Sequence, residues 1–412
     1  MGQINLFVFT NQYNTANSLI NPGAGLAQVV TNVSEKLPAD RYRIFVFTLA
    51  TQDTEYQPQP NVNVIGLKPR RMIHGTKREP LYFVCPTGEG IDALDLGFTS
   101  LSYIEKKCSE EMKNAVIWAN DWFTACPMIT LYEEHQLQGV YTWHLSKKRP
   151  DENDMRLNWE KKMAENIKNS DSLGHAVSET QKTIVRNAYG LPTKKVVAIR
   201  NGVDTKIFRP YELDSYLPIL EKYGIERPFY CWTGRTAEEK RADQVVKSFP
   251  QVLEEYSDER LVILGLPDQS GLGGLYREYN SLKSDVKSKV KIILENVSNE
   301  NRAKIYAAAD VGVFPSDPSK APEAFGIVSL ECQSCGTPAT VNKDTGLIET
   351  IIPGLTGLAV DGSNSYELAD ATVECISRRE QWGRNARDLA ERYFSWTDIV
   401  KEYDELLFSR LI

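Results

Sequence analysis

Short apolar runs alternating with helical patterns along the whole chain constrain its fold more than any other feature. In the first half the runs are QINLFVFT (3–10), YRIFVFTL (42–49), VNVIGL (62–67), AVIWAND (115–121), GVYTWHL (139–145), SLGHAVS (172–178) and VVAIRNG (196–202). In the second half they are FYCWTG (229–234), RLVILG (260–265), VKIILEN (290–296), VGVFP (311–315), PATVN (338–342) and GLAV (357–360). Most are apolar without a period-two alternation, the pattern of strands covered on both faces in a parallel sheet. Helical patterns lie between them, among them 156–169, 243–256 and 299–309. Alternation of this kind in both halves predicts an α/β chain with two doubly wound, Rossmann-like parallel sheets. The polar, Gly- and Pro-bearing stretch from about 201 to 228 reads as the connection between them, and 68–114 gives no clear element. A length of 412 residues accommodates two or three domains with proper cores.

Composition narrows the function classes. With 25% charged and 42% hydrophobic residues, the chain is an ordinary globular one. A net charge of −7 argues against a broad nucleic-acid footprint. One basic cluster stands out: Lys68, Arg70, Arg71, Lys77 and Arg78. It is compatible with an anionic acceptor or a lipid headgroup, although such runs are more often solvated loops. No stretch has the length of a membrane span, and MGQINLFVFT lacks the basic start and long apolar run of a secretory leader. Seven scattered cysteines without framework spacing suit reduced thiols, so the expected compartment is the cytoplasm. Cys332 and Cys335 form a C-x-x-C with no second pair near it, and are read as packing residues.

Three places carry chemistry. In VGVFPSDPSKAPEAFGIVSLE (311–331) a strand, a Pro- and Ser-rich loop and a helix opening near Phe325 and Gly326 follow one another. Seven residues separate Glu323 from Glu331, so one carboxylate stands at the helix mouth and the other about two turns down the helix. The open N–H groups of that mouth favour an anion, and Gly326 allows close approach to the backbone. A phosphorylated sugar fits: its phosphate at the mouth, its hydroxyls on the two carboxylates. Arg235 and Lys240 flank a second mouth in GRTAEEK (234–240), a fork and a point charge suited to a diphosphate. In the first half, Gly23, Ala24 and Gly25 form a turn between strand and helix. Asp121 and His144 end strands, the edge at which open α/β sheets bind ligands.

In this order the pieces resemble the retaining glycosyltransferases of family 4, which have the GT-B fold. The likeness runs through NPGAGLAQVV (21–30), ANDW (119–122), RNGVDTKIFRP (200–210), GRTAEEK (234–240), EAFGIVSLE (323–331), TGLIET (345–350), GLTGLAV (354–360) and the ending FSWTDIVKEYDELL (394–407). It implies an acceptor-side domain at 1–205, a donor domain at 206–390 and a terminal helix at 391–412 crossing back to the first. The two domains are expected to close around a cleft.

The implied donor is a nucleoside diphosphate sugar, UDP-sugar ahead of GDP- or ADP-sugar, and the acceptor a small-molecule or saccharide hydroxyl. Arg235 and Lys240 neutralise the diphosphate, Glu331 holds the ribose, and Glu323 and His144 hold the transferred sugar. Backbone N–H groups of Phe325, Gly326 and Ile327 meet sugar or phosphate. Gly23, Ala24, Gly25, Asp121 and Val297 complete the donor set. No metal is required, because cations and helix dipoles take its place. Retention proceeds by front-face attack, with the leaving phosphate as base. Two departures stand against the pattern: Asn120 occupies the family's His position, and Thr345 that of a glycine, adding a Cβ near the donor. Two other readings use the same residues, a sugar-nucleotide epimerase and a non-catalytic nucleotide-sugar sensor.

Overall fold

The computed structural model describes residues 3–13, 25–68, 88–145, 155–320 and 323–410. The chain divides into two compact units, Met1–Arg200 with Trp396–Ile412, and Asn201–Ser395.

The first unit holds strands β1 (Ile4–Phe9), β2 (Tyr42–Leu49), β3 (Thr54–Gln59), β4 (Val62–Leu67), β5 (Ala115–Asn120), β6 (Gly139–Trp143), β7 (Leu173–Ala176) and β8 (Val196–Ala198). They form one sheet in the order β3-β4-β2-β1-β5-β6-β7-β8, parallel except for β3 against β4. The apolar runs are buried as their composition requires: in β1 every residue but Asn5 is buried, in β5 every one. Phe9 and Phe47 stack at 5.2 Å across neighbouring strands, and Phe7 meets Phe45 edge-on at 5.6 Å. The antiparallel β3, TEYQPQ, has no apolar pattern and escapes sequence reading; its polar residues and Pro58 suit an exposed sheet edge. The unparsed stretch 68–114 contains a 20-residue helix, Gly88–Lys107. The rest of the basic cluster beyond Lys68, namely Arg70, Arg71, Lys77 and Arg78, lies outside the described residues.

The closing helix Trp396–Phe408 packs on this sheet. Its Tyr403 is fully buried, with its ring 5.3 Å from Trp118 and 5.0 Å from His175. Asp404 accepts from Tyr42 at 2.8 Å and pairs with Arg41 at 2.6 Å.

The second unit is a six-stranded, all-parallel sheet of β9 (Phe229–Arg235), β10 (Arg260–Leu266), β11 (Val290–Ile293), β12 (Gly312–Phe314), β13 (Ala339–Asn342) and β14 (Gly357–Val360). Its order is β11-β10-β9-β12-β13-β14. In both units the strand order reverses beside the first strand, at β1/β5 and at β9/β12. Loops leaving the carboxyl ends of those two strands diverge to opposite faces, which opens a crevice there. The expected connection at 201–228 is not continuous loop. It contains the helix Leu213–Tyr223, which buries Tyr216 and Leu220 and ends on Gly224 in the left-handed conformation (φ 61°). Pro218 inside it hides the pattern from sequence reading.

Away from the crevice, at the start of β10, Glu259 is 2% exposed and its Oε1 has no hydrogen-bond partner among the described residues. Burial, reinforced by the Asp310 carboxyl, pushes its pKa up to about 8, against the pull of Arg379, Arg260 and Arg227. An acid with a raised folded pKa stabilises the fold fully below its unfolded pKa, and this contribution is lost as pH rises through the folded value. The melting temperature should therefore fall between about pH 4.5 and 8, and Glu259→Gln should flatten that fall. Parallel pH profiles for the two proteins would contradict the assignment.

Candidate donor and sugar site

In the second unit the sheet's crevice brings together the loops after β9 and β12. Arg235 ends β9 and is exposed; its guanidinium donates to Asp268 Oδ2 at 2.7 Å and to Glu239 Oε1 at 3.2 Å. The hydroxyl and N–H of Ser270, with Arg235, hold Asp268 below the usual carboxylate range. Lys240 follows in a short turn whose position is set from both sides. Its carbonyl accepts from Trp232 Nε1 at 3.1 Å, and the next residue, Arg241, has φ 56°. That conformation is unusual for a residue with a side chain, and it is held by the Arg241 contact to Asp317 Oδ2 at 2.9 Å. The N–H of Asp317 donates to the carbonyl of Glu239 at 2.7 Å, tying the two loops together.

The Lys240 ammonium donates to Glu323 Oε2. Two site residues 83 positions apart in sequence therefore touch. Behind Glu323, Phe325 is buried, its ring 5.9 Å from that of Phe394. The helix opens at Ile327, one residue after Gly326 rather than on it. Gly326 has φ 90°, and a Cβ there would stand 2.2 Å from Leu347 Cδ2. No other residue fits. In the first turn of Ile327–Ser334 the N–H of Ser329 donates to the Gly326 carbonyl at 3.1 Å, and those of Ile327 and Val328 have no partner within the helix.

Glu331 lies farther down that helix, 1% exposed, and both of its oxygens are held by Arg302. Arg302 Nε donates to Oε2 at 3.2 Å and Nη2 to Oε1 at 3.1 Å, while Nη2 also reaches Asn299 Oδ1 at 2.9 Å. A carboxylate has about four lone-pair positions, so this pairing uses half of them. Val297 is buried just after β11 and leads into the helix that carries Arg302. Thr345 does not project into the crevice. It is 1% exposed, its hydroxyl donates to the Asn342 carbonyl at 3.1 Å, and it caps the short helix Gly346–Thr350. The real glycine requirement is at Gly346, where a Cβ would lie 2.0 Å from the Ala324 carbonyl.

In the first unit the equivalent edge carries Asn120, Asp121 and His144. Asn120, fully buried, donates from Nδ2 to the Phe9 carbonyl at 3.3 Å and sits 3.0 Å from His144 Nε2. Asp121 has φ 65° and ψ 170°, a costly conformation for a non-glycine residue. Its Oδ1 accepts from Trp122 N at 3.1 Å and pairs with Arg156 at 3.5 Å. Burial raises its pKa against the pull of Arg156. Arg156 also binds the buried Glu160 at 2.7 Å, and Tyr189 donates to the other oxygen of that carboxylate. Burial pushes His144 down to about pKa 3, so its ring is neutral at physiological pH. Gly25 begins the helix Gly25–Lys36 and is exposed, whereas Gly23 and Ala24 lie outside the described residues. Among the described residues, no three His, Cys, Asp or Glu side chains converge to hold a metal ion, and no helix is long and apolar enough to cross a membrane.

Sequence reading missed Arg302, Arg156 and Asp268, which pair with Glu331, Asp121 and Arg235. An isolated Arg or Asp gives no local signal.

Two family models match the chain, one per unit. That described as Glycosyltransferase Family 4 matches residues 23–207, and that described as Glycosyl transferases group 1 matches residues 219–389. An uncharacterised glycosyltransferase of Methanocaldococcus jannaschii is 32% identical over 238 residues, 55% of this chain and 57% of that protein. The chain spans 54–57% of the length of the first curated relatives it matches. Among solved structures, sucrose-phosphate synthase from Thermosynechococcus elongatus superposes with a TM-score of 0.78 at 21% identity, over 99% of each chain. HepE of Anabaena in complex with UDP-glucose has a TM-score of 0.73 at 18% identity, covering 99% of this chain and 100% of that one. At such identities the likeness is one of fold.

Proposed function

Because the chain belongs to the family 4 glycosyltransferases, with the two-domain GT-B fold, we propose that it moves a sugar from a nucleoside diphosphate sugar to a hydroxyl of a small molecule or saccharide. The observation that carries this reading is the Lys240–Glu323 pair. In the free protein the cation and the carboxylate satisfy each other. A donor supplies both replacements at once: its diphosphate takes Lys240, and its sugar hydroxyls take the released Glu323.

Arg235 acts in the same way, exchanging Asp268 and Glu239 for phosphate oxygens. Preset cations aimed at a departing phosphate are the main source of rate in such transfers. The developing charge of the leaving diphosphate is met by Arg235, Lys240 and the first-turn N–H groups of the helix Ile327–Ser334. The lone pairs that Arg302 leaves on Glu331 take the ribose hydroxyls, and Val297 lies against the nucleoside. In the first unit His144 binds a hydroxyl of the transferred sugar, with Asp121, Gly23, Ala24 and Gly25 completing the donor contacts. Transfer retains the anomeric configuration: the leaving phosphate accepts the acceptor's proton as the new bond forms on the same face. No metal is needed, because the two cations supply the counter-charge. The donor role falls to 206–390, the acceptor role to 1–205, and 391–412 returns to the first domain. UDP is the favoured base, in keeping with the UDP-glucose complex of HepE. The six described cysteines are free and buried, which suits a cytoplasmic enzyme.

A thermal-shift screen with UDP, GDP, ADP and their sugar conjugates, with and without EDTA, tests this directly. A ligand at a hundred times its Kd adds about 2.7 kcal/mol of stability. UDP and its sugars should raise the melting temperature equally in both conditions. A GDP- or ADP-specific shift would move the donor base, loss of the shift in EDTA would overturn metal independence, and no shift at all would overturn the donor site. Product analysis for an epimerised donor checks the reaction type.

A further inference from the structure

We infer that Asn120 is a positioning residue that locks His144 in one neutral tautomer, so that the ring meets its ligand only as a hydrogen-bond acceptor. This rests on the reading above, in which His144 contacts the sugar. The argument is one of hydrogen-bond direction. The Phe9 carbonyl can only accept, so the Asn120 group facing it at 3.3 Å is the NH₂. The amide oxygen of Asn120 therefore faces His144 Nε2 at 3.0 Å. An amide oxygen also only accepts, so the proton on the ring is on Nε2.

With a single proton on Nε2, Nδ1 carries the lone pair. Among the described residues Nδ1 has no hydrogen-bond partner. The lock itself is rigid: Asn120 is 0% exposed at the end of β5, and Phe9 ends the adjacent β1 in the same sheet. Burial keeps the ring from gaining a second proton. The diphosphate of a nucleotide sugar, which has no proton to give at neutral pH, finds no partner on this face of the ring. A sugar hydroxyl does. His144 thus selects a hydroxyl that donates, and Asn120 is the group that makes it selective.

Histidine ¹⁵N spectra of the full chain at pH 7 read the tautomer without any substrate. His144→Gln identifies the signal among the four histidines. The wild type should show a protonated Nε2 and an unprotonated Nδ1. Asn120→Ala should mix the tautomers and lower kcat about ten- to a hundredfold with the donor KM little changed. Asn120→Asp, which still presents an acceptor to Nε2–H, should keep the wild-type tautomer. Donor analogues bearing one fluorine in place of each sugar hydroxyl should include one that Asn120 and His144 variants no longer distinguish from the natural sugar. A proton on Nδ1 in the wild type, or an unchanged tautomer in Asn120→Ala, overturns the inference. The expected spectra in a chain that transfers no sugar would uphold the lock and overturn the reading of the reaction, so the two fail separately.

Discussion

Replacing Arg235 and Lys240 together by alanine will reduce glycosyl transfer at least about a thousandfold, since each charged donor at a developing anion is worth roughly 10²–10³ in rate. The fold should survive. Arg235 is exposed and its contacts to Asp268 and Glu239 are surface ion pairs, which contribute about 0–1 kcal/mol. Lys240 is more enclosed, and its loss leaves Glu323 without its cation. The circular dichroism spectrum should be unchanged and the melting temperature lower by only a few degrees. Donor affinity, read by calorimetry with UDP, should fall in step with the lost phosphate contacts. Undiminished turnover in the double variant would end the assignment of these two cations.

Arg302→Leu will have the largest effect on stability of any single change at the site. It strands the Glu331 carboxylate, which is 1% exposed and has both oxygens on that guanidinium. Removing one partner of a buried ion pair costs about 3–5 kcal/mol. The matching change Glu331→Leu, made on top of it, should recover much of the stability, because an apolar pair of similar volume avoids the desolvation of both charges. Donor binding should not recover with it, since the ribose has lost its acceptor. Chemical denaturation and UDP calorimetry on the two single variants and the double separate these outcomes. Arg302→Leu within 1 kcal/mol of wild type would show that Glu331 does not depend on Arg302.

The parts of this site that were legible in the sequence are those carried by one short segment. Glu323 and Glu331 stand out because a strand, a loop and a helix follow each other within 311–331, and the helix mouth is local in sequence. Gly326 signals its own conformation, since only glycine tolerates φ 90° against Leu347. By contrast, the fate of Thr345 was not legible. Its extra Cβ reads as an intrusion near the donor until the structure turns its hydroxyl back onto Asn342. Likewise the helix Leu213–Tyr223 was hidden by Pro218, and β3 by its polar surface.

Taken alone, the sequence determined two α/β sheets, parallel but for the one edge strand it hid, and the strand ends at which sheets of this kind bind ligands. It could do so because burial on both faces imposes continuous apolar runs, a property written into consecutive residues. Only the tertiary structure decided which side chains meet. Lys240 reaches Glu323 across 83 positions, Glu331 finds Arg302 across 29, and Asn120 holds Phe9 across 111. Those meetings follow from strand order, which sets β9 beside β12 and β1 beside β5. The physical reason is that hydrophobic periodicity reports whether a residue is covered but not by what. An ion pair or a tautomer lock depends on the identity and direction of the covering group, and only the crossovers between strands supply that.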